Sequence, residues 1–401
     1  MRIAVIGGGA AGFMAAITAQ SSDPKSDVIL FEKSDKVLSK VKISGGGRCN
    51  VTNACFSIAE LTKQYPRGGA FLKKSFSHFF TKDTIGWFNE KGVTLKAEED
   101  NRMFPNSDDS QTIIDCLMSE LKSLNIKLCY QSAIKKISPH SNKGCTIEVN
   151  SQNIKVDRLI IATGGSPKIQ GLQWLMDLGY KVEKPVPSLF TFNMPNEDIK
   201  ELMGVVAQNT KVHIQGSKLK HSGPLLITHW GMSGPAILKS SAWGARRLAE
   251  NNYQFTVHIN WANLNEIDYI DYIKENKNSN RIIGNKNPFN LPNRLWLYLL
   301  KKIGVDSNIE WNKLDKKSGN KLLNVLFNDS YKVNGKTTFK EEFVTCGGVS
   351  LDQVNPNTLE SKIHKGMFFC GEILDIDGVT GGFNFQSAWT TGYLAGKNST
   401  L

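Results

Sequence analysis

The chain has 401 residues, 40% of them hydrophobic and 21% charged, and carries a formal net charge of +12. These values suit a globular protein of two or three domains and exclude a disordered or collagen-like chain. No apolar run approaches the roughly 18–20 residues of a membrane span, so the sequence predicts no membrane segment.

The first 32 residues predict a strand carrying Ile3, Val5 and Ile6, a glycine turn Gly7-Gly8-Gly9-Ala10-Ala11-Gly12, a helix, a second strand Val28–Phe31 and the acid Glu32. Gly7 allows a tight turn, Gly9 lets backbone approach a diphosphate, and Gly12 lets the helix pack close to the sheet. The helix start offers free N–H groups to an anion. Glu32 follows Gly12 by 20 residues, where a carboxylate accepts from an adenosine ribose. A bare glycine turn in an ordinary βαβ unit is the competing reading. Because this apolar segment holds the turn and runs into Glu32 and Lys33, it reads as part of the fold rather than a secretory signal.

Next comes Lys42-Ile43-Ser44-Gly45-Gly46-Gly47-Arg48-Cys49-Asn50-Val51-Thr52-Asn53. Its three glycines admit a flat or phosphorylated ligand against the backbone. Arg48 offers charge for a phosphate, and Asn50, Thr52 and Asn53 offer donors and acceptors; a polar surface loop would look the same. Helices are expected at about Phe71–Lys91 and Ser110–Leu124, and short strands near Ile126–Tyr130, Ala133–Ser138, Cys145–Val149 and Ile154–Val156. Asp157–Ile161 reads as a charged edge entering a buried strand, followed by the turn Ala162-Thr163-Gly164-Gly165. In α/β folds such strand exits bind ligands, although a plain turn fits as well.

Pro185-Val186-Pro187 marks a texture change. β-like runs recur from Phe190 to Ile259, then helical patterns from Asn265 to Phe327, with Leu291, Leu295, Leu299 and Ile303 on one stripe. Between Leu189 and Lys340 there are 21 Lys/Arg against 12 Asp/Glu. A basic surface attracts nucleic acid, an anionic cofactor or an acidic substrate, or is only a solvated face. His229, Trp230 and Ser233 lie in a glycine- and proline-flanked stretch, with His229 read as a buried structural residue.

Strand and glycine signals resume at Glu342–Val349, and Phe368–Glu372 predicts a last buried strand. The segment Gly371–Asn384 brings Glu372 and Asp375, whose carboxylates suit sugar-chain hydroxyls, and Gly381-Gly382-Phe383-Asn384 opening a helix of about Asn384–Gly396. That helix start can stabilise negative charge on a bound ring. The acids lack the alternating ligand spacing of a calcium loop. The simplest architecture is a nucleotide domain built from both chain ends, 1–188 and 341–401. A β insert takes 189–264 with about 329–340, and a helical insert takes 265–328.

The seven cysteines are odd in number and show no CxxC or Cys/His spacing, which predicts reduced thiols in the cytosol. No histidine pattern suggests a metal. Cys49 and Cys55 are separated by five residues.

Together, GGGAAG with Glu32, SGGGRCNVTN, ATGG, THWGMSGPAIL at 228–238, VTCGGVSL at 344–351 and GEILDIDGVTGGFNFQSAWTTGYLAG at 371–396 resemble the BaiN-type flavoprotein family. These are NAD(P)/FAD-dependent oxidoreductases of the two-dinucleotide-binding type, including proposed bile-acid reductases. The resemblance implies a Rossmann-like FAD domain, a mixed sheet with helices on both faces, interrupted by a β-barrel and a small helical domain. It implies FAD contacts at Gly7, Gly9, Ala10, Ala11 and Gly12 (diphosphate) and at Glu32 with Lys33 nearby (adenosine ribose). Gly45, Gly46, Gly47, Arg48, Cys49, Asn50 and Thr52 would follow the diphosphate, ribityl chain and ring. Ala133 would touch the adenine side, and Ala162, Thr163 and Gly164 the adenosine half. Gly371, Glu372 and Asp375 would bind the ribityl region, and Gly381, Gly382, Phe383 and Asn384 the pyrimidine edge.

Two departures from the pattern matter. There is no second GxGxxG turn, so NAD(P)H as a transient reductant would visit the flavin without its own Rossmann domain. Disulfide reductases of this architecture use CxxxxC, and Cys49 to Cys55 is one residue too long. No catalytic acid or base stands out. The expected activity is oxidation or reduction of a small organic substrate, by C=C reduction or amine oxidation. The basic insert keeps an RNA-modifying or RNA-binding role open, and a redox sensor without turnover is the third reading.

Overall fold

The computed structural model describes every residue except 264, 277, 286, 288 and 338–343. The joints expected at 264 and 340–341 and the strand start at Glu342 and Phe343 lie outside the described residues. The chain divides into two compact units, Met1–Pro187 with Lys340–Leu401, and Ser188–Phe339.

In the first unit a five-stranded sheet runs in the order Met367–Phe369, Arg158–Ile161, Arg2–Ile6, Asp27–Phe31, Lys127–Cys129. Every pairing is parallel, which corrects the mixed sheet expected from the sequence. The physical sign is the continuous apolar run: Ile3–Ile6, Val28–Phe31 and Leu159–Ile161 are all buried, as strands covered on both faces must be. Antiparallel ladders form two separate three-stranded sheets. One holds Thr52–Asn53, Arg102–Pro105 and Leu95–Ala97; the other holds Ile134–Pro139, Cys145–Val149 and Gln152–Val156.

The first helix, Ala10–Ser22, is buried from Ala11 to Gln20. A helix apolar all round belongs inside a protein. It packs against the last helix, Phe383–Ser399. A Cβ on Gly392 would lie 2.5 Å from the Ala11 carbonyl oxygen, and one on Gly396 2.3 Å from that of Ala15. These two glycines, one turn apart, let the helices touch backbone to backbone.

The helix expected over Phe71–Lys91 is two helices, Gly69–Phe76 and Thr81–Glu90. The second starts anew because the Asp83 carboxylate accepts from the Phe80 N–H (2.9 Å), satisfying an N-terminal donor. The helix Ser110–Ser123 begins at Asp109, whose carboxylate accepts from the Gln111 N–H.

The second unit contains a seven-stranded antiparallel sheet. Its order is Asp329–Asn334, Gln254–Asn260, Val206–Ile214, Lys220–Thr228, Gly231–Ser233, Thr191–Asn193, Lys336–Thr337. The two outermost strands are neighbours in sequence, joined through Gly335. Inside the stretch read as β lies a 16-residue helix, Pro235–Glu250. Proline at its first turn suits a helix start. Its buried face mixes the small residues Ala236, Ser240, Ser241, Gly244 and Ala245 with Ile237 and Leu248. Further helices span Glu266–Asn276, Asn293–Lys302 and Lys316–Phe327; Leu291 and Ile303 flank the second rather than belonging to it. The core centres on Trp261, Leu295, Trp296 and Leu299. Asp329 is buried there, accepting from Trp261 Nε1 (3.0 Å) and paired with Lys302 Nζ (2.6 Å).

Candidate dinucleotide site

All five parallel strands end at one edge of the sheet, so the loops that follow them converge there. Gly7 leaves the first strand at φ +110°, and a Cβ on it would lie 2.3 Å from the Ala162 carbonyl oxygen. Gly12 is equally constrained: its Cβ would meet the Gly7 carbonyl oxygen at 1.9 Å. Gly9 faces open space, with nothing within 4 Å of a Cβ. It stands before the first helix, which has no side-chain cap and no acid in its first turn. The N–H groups of Ala10, Ala11 and Gly12 precede the first intrahelical bond, made by the Phe13 N–H. An anion can settle there without displacing any side chain.

The Glu32 carboxylate accepts from the Gly8 N–H (2.8 Å) and from the Ser34 N–H and Oγ (both 2.9 Å). It is thereby fixed beside the turn. Lys33 is exposed. Ser132 N–H donates to the Glu32 carbonyl (2.8 Å), which sets exposed Ala133 alongside. On the other side of the turn, Ala162 N–H donates to the Ile6 carbonyl, Thr163 is exposed, and Gly164 has φ +75° over open space.

The glycine loop is not a free surface loop. Ser39–Gly47 is helical but kinked, with Ser44 extended and Gly45 and Gly46 left-handed. Gly46 and Gly47 face open space. The loop is tied to the far end of the chain. With the amide turned so that its oxygen faces the Gly382 N–H, Asn50 accepts from that N–H (2.9 Å) and donates to the Thr52 carbonyl (3.0 Å). Thr52 Oγ1 donates to Gln386 Oε1 (2.6 Å), Asn53 Nδ2 to the Gly381 carbonyl (3.1 Å), and Trp389 Nε1 to the Val51 carbonyl (3.0 Å). Gly382, at φ +91°, starts the last helix, again with no side-chain cap. Asn384 closes the preceding loop by accepting from the Gly378 N–H (2.8 Å) and donating to its carbonyl (3.0 Å). Phe383 is buried, and its carbonyl accepts from Tyr65 Oη.

Several expected roles change. The Arg48 guanidinium pairs with Glu98 (2.6 Å) and Asp108 (3.6 Å) and lies 4.0 Å over the Phe104 ring. These acids engage part of its guanidinium. Cys49 is fully buried, and burial pushes its thiol up to about 12, so it offers no thiolate at neutral pH. All seven cysteines are free thiols. His229, read as buried, is exposed, its ring edge-on to Trp230 at 4.3 Å.

Gly371 sits on the first helix, where its Cβ would lie 2.7 Å from that of Ala11. Asp375 is buried, its N–H donating to the Val349 carbonyl. Glu372 accepts from the Thr345 N–H (2.8 Å) and pairs with Lys40 Nζ (2.6 Å). Thr345 Oγ1 beside it is buried with no partner among the described residues. Sequence reading missed Lys40 and Thr345. It also missed the pair of half-buried Arg67 with buried Asp377 at the start of the Gly378 loop. Asp377 was visible as one more acid in the motif; nothing local announced Arg67 as its partner.

Open glycines, two uncapped helix starts, a fixed acid after the second strand and an orphaned hydroxyl make a cradle that fits an extended dinucleotide. The fold and site define a Rossmann-type nucleotide-binding protein. The chain belongs to the HI0933-like family, a family of flavoprotein oxidoreductases, whose Rossmann domain matches residues 1–398. It is 28% identical over 411 residues to the ribosomal RNA dihydrouridine synthase of Escherichia coli (strain K12), covering 98% of this chain and 96% of that one. It is 27% identical over 413 residues to the 3-dehydro-bile acid delta(4,6)-reductase of Clostridium scindens, covering 99% and 98%. Among solved structures, the 3-ketosteroid-delta4-(5alpha)-dehydrogenase of Rhodococcus jostii RHA1 shares the fold at a TM-score of 0.50 and 12% identity, covering 100% of this chain and 96% of that one.

Proposed function

We propose that this chain is an FAD-dependent reductase that saturates a carbon–carbon double bond conjugated to a carbonyl, with NAD(P)H as the transient reductant. The observation that carries the reading is the knitting of the Gly45–Asn53 loop to Gly381–Gln386 at the sheet edge that also holds the Gly7–Gly12 turn. A dinucleotide starting at the first helix and running along this seam would end at the second. The names of the two relatives support the chemistry: a dihydrouridine and a reduced delta(4,6) bile acid both arise by saturating a C=C bond in conjugation with a carbonyl.

The residues would act as follows. Ala10–Gly12 N–H groups hold the diphosphate, Glu32 the adenosine ribose, and Lys33, Ala133 and Ala162–Gly164 the adenosine half. Gly45–Gly47, Asn50 and Thr52 line the middle, with Arg48 and Cys49 contributing backbone. Gly371, Glu372 and Asp375 take the ribityl hydroxyls. Gly381–Asn384 present N–H groups and the positive helix end to the ring's pyrimidine edge. Bound there, FAD supplies the hydride chemistry. The second unit is read as a barrel (189–264 with about 329–340) carrying a helical module (265–328); the two outermost strands meeting at Gly335 support closure. Seven free thiols suit a reducing cytoplasm.

The test is the absorbance spectrum of the purified protein with mass identification of the released cofactor, then anaerobic mixing with NADH or NADPH. Rapid bleaching and reoxidation by an α,β-unsaturated ketone or by uridine-containing RNA are expected. A colourless protein that FAD cannot reconstitute sinks the reading, and a flavin that neither nicotinamide bleaches points to the sensor. A second reading, with RNA as the substrate, is favoured by the basic surplus between Leu189 and Lys340 and by the Escherichia coli relative's name. It requires RNA binding that weakens steeply with salt.

A further inference from the structure

We propose that Lys40, held by Glu372, is the cation that neutralises the diphosphate of the bound dinucleotide, in place of Arg48. The inference rests on the FAD reading above.

Lys40 and Glu372 are 332 residues apart, yet their side chains meet at 2.6 Å. The place where they meet is fixed from both sides. The segment carrying Lys40 lies on the glycine turn: the Leu38 N–H donates to the Gly8 carbonyl (2.8 Å), and Val37 Cγ1 would lie 2.7 Å from a Gly8 Cβ. The segment carrying Glu372 lies on the first helix and on the neighbouring strand exit. Gly371 touches Ala11, and a Gly165 Cβ would lie 2.8 Å from Glu372 Oε1. Lys40 follows the strand Asp27–Phe31 and Glu372 follows Met367–Phe369, with the exits of Arg2–Ile6 and Arg158–Ile161 between them. Their pairing thus spans the exits of those two strands, the first of which leads through the glycine turn into the first helix.

That helix start carries only partial positive charge, roughly half a unit, against a diphosphate. A full cation beside it is the missing electrostatic element. Arg48 is held by two carboxylates, Glu98 and Asp108, and by the Phe104 face. Lys40 is held by Glu372, and its compact ammonium can serve a phosphate and a carboxylate together. Glu372 gains as well. A bare carboxylate here would repel the diphosphate; paired with Lys40, and with its other oxygen on the Thr345 N–H, it stays in place to accept ribityl hydroxyls. The Lys40 side chain is 51% exposed, so solvent screens it and its effect must be moderate and salt-sensitive.

The experiment follows FAD release from the full-length holoprotein, by recovery of flavin fluorescence, from about 20 mM to about 500 mM salt. Lys40→Gln should release FAD about five- to tenfold faster at low salt, with the gap closing as salt rises, and Lys40→Arg should stay within about twofold of the parent. In melting experiments, ADP should stabilise the parent more than adenosine does, and Lys40→Gln should shrink that difference. Unchanged release from Lys40→Gln at low salt overturns the proposal. So does acceleration that is independent of salt and not rescued by arginine, which would mark a merely structural contact. A salt-dependent acceleration in Arg48→Gln with none in Lys40→Gln returns the role to Arg48. A parent protein that retains no FAD defeats the cofactor reading; a parent that retains it beside an indistinguishable Lys40→Gln defeats only this assignment.

Discussion

Glu32 sits where spacing alone put it, and the structure adds how it is held: one carboxylate oxygen takes the Gly8 N–H, the other takes Ser34. Glu32→Ala removes that hold and, with it, the ribose contact proposed above. FAD release should quicken about tenfold, the worth of a charge-assisted hydrogen bond, as read by flavin fluorescence. The thiols make a second prediction. Burial pushes Cys49 and Cys145 up to about 12, from 9.0 when exposed. Both folded pKa values lie above the unfolded one, so their contribution is fully present below pH 9.0 and is lost between there and about 12. Urea midpoints should be level across neutral pH and fall from pH 9 to 10.5. Cys55, partly exposed, should alkylate in the native protein while Cys49 waits for unfolding. Cys55→Ser should leave flavin reduction unchanged. Single residues with a steric or spacing rule were legible in the sequence. Partnerships were not: the sequence could not show that Arg48 pairs with Glu98, 50 residues away.

At the scale of elements, the first and last helices touch backbone to backbone. Gly392 and Gly396 face the Ala11 and Ala15 carbonyls at distances no side chain fits. The obstruction is backbone, which cannot swing aside. Gly392→Ala and Gly396→Ala should each destabilise the protein by about 1–3 kcal/mol despite alanine's better helix propensity, measurable as a lower urea midpoint. Periodicity found the first βαβ unit and the Ser110 helix. It failed at Pro235–Glu250, whose buried face sets Ile237 and Leu248 among alanine, serine and glycine. It also fused two helices across Ser77–Phe80, because a break made by one aspartate cap leaves the apolar pattern intact.

For the whole molecule, the two units offer a direct check on where the cofactor binds. A ligand stabilises only what it holds, by RT ln(1 + [L]/Kd). Saturating FAD should slow hydrogen exchange in the Gly7–Gly12, Gly45–Asn53 and Gly378–Gln386 segments and leave the core strands of Ser188–Phe339 unchanged. Slowing confined to the second unit would misplace the site. The sequence by itself determined the strand–turn–helix–strand–acid unit, the need for glycine at its turns and the identity of the family, since each rests on local sterics or on motifs in fixed order. Only the tertiary structure decided that the sheet is wholly parallel, that Asn50 and Gly382 share a hydrogen bond, and that Lys40 reaches Glu372 while Arg48 turns to Glu98. Those are meetings of residues tens to hundreds of positions apart. Which partner a charge finds depends on where the folded backbone carries it, and no local pattern encodes that.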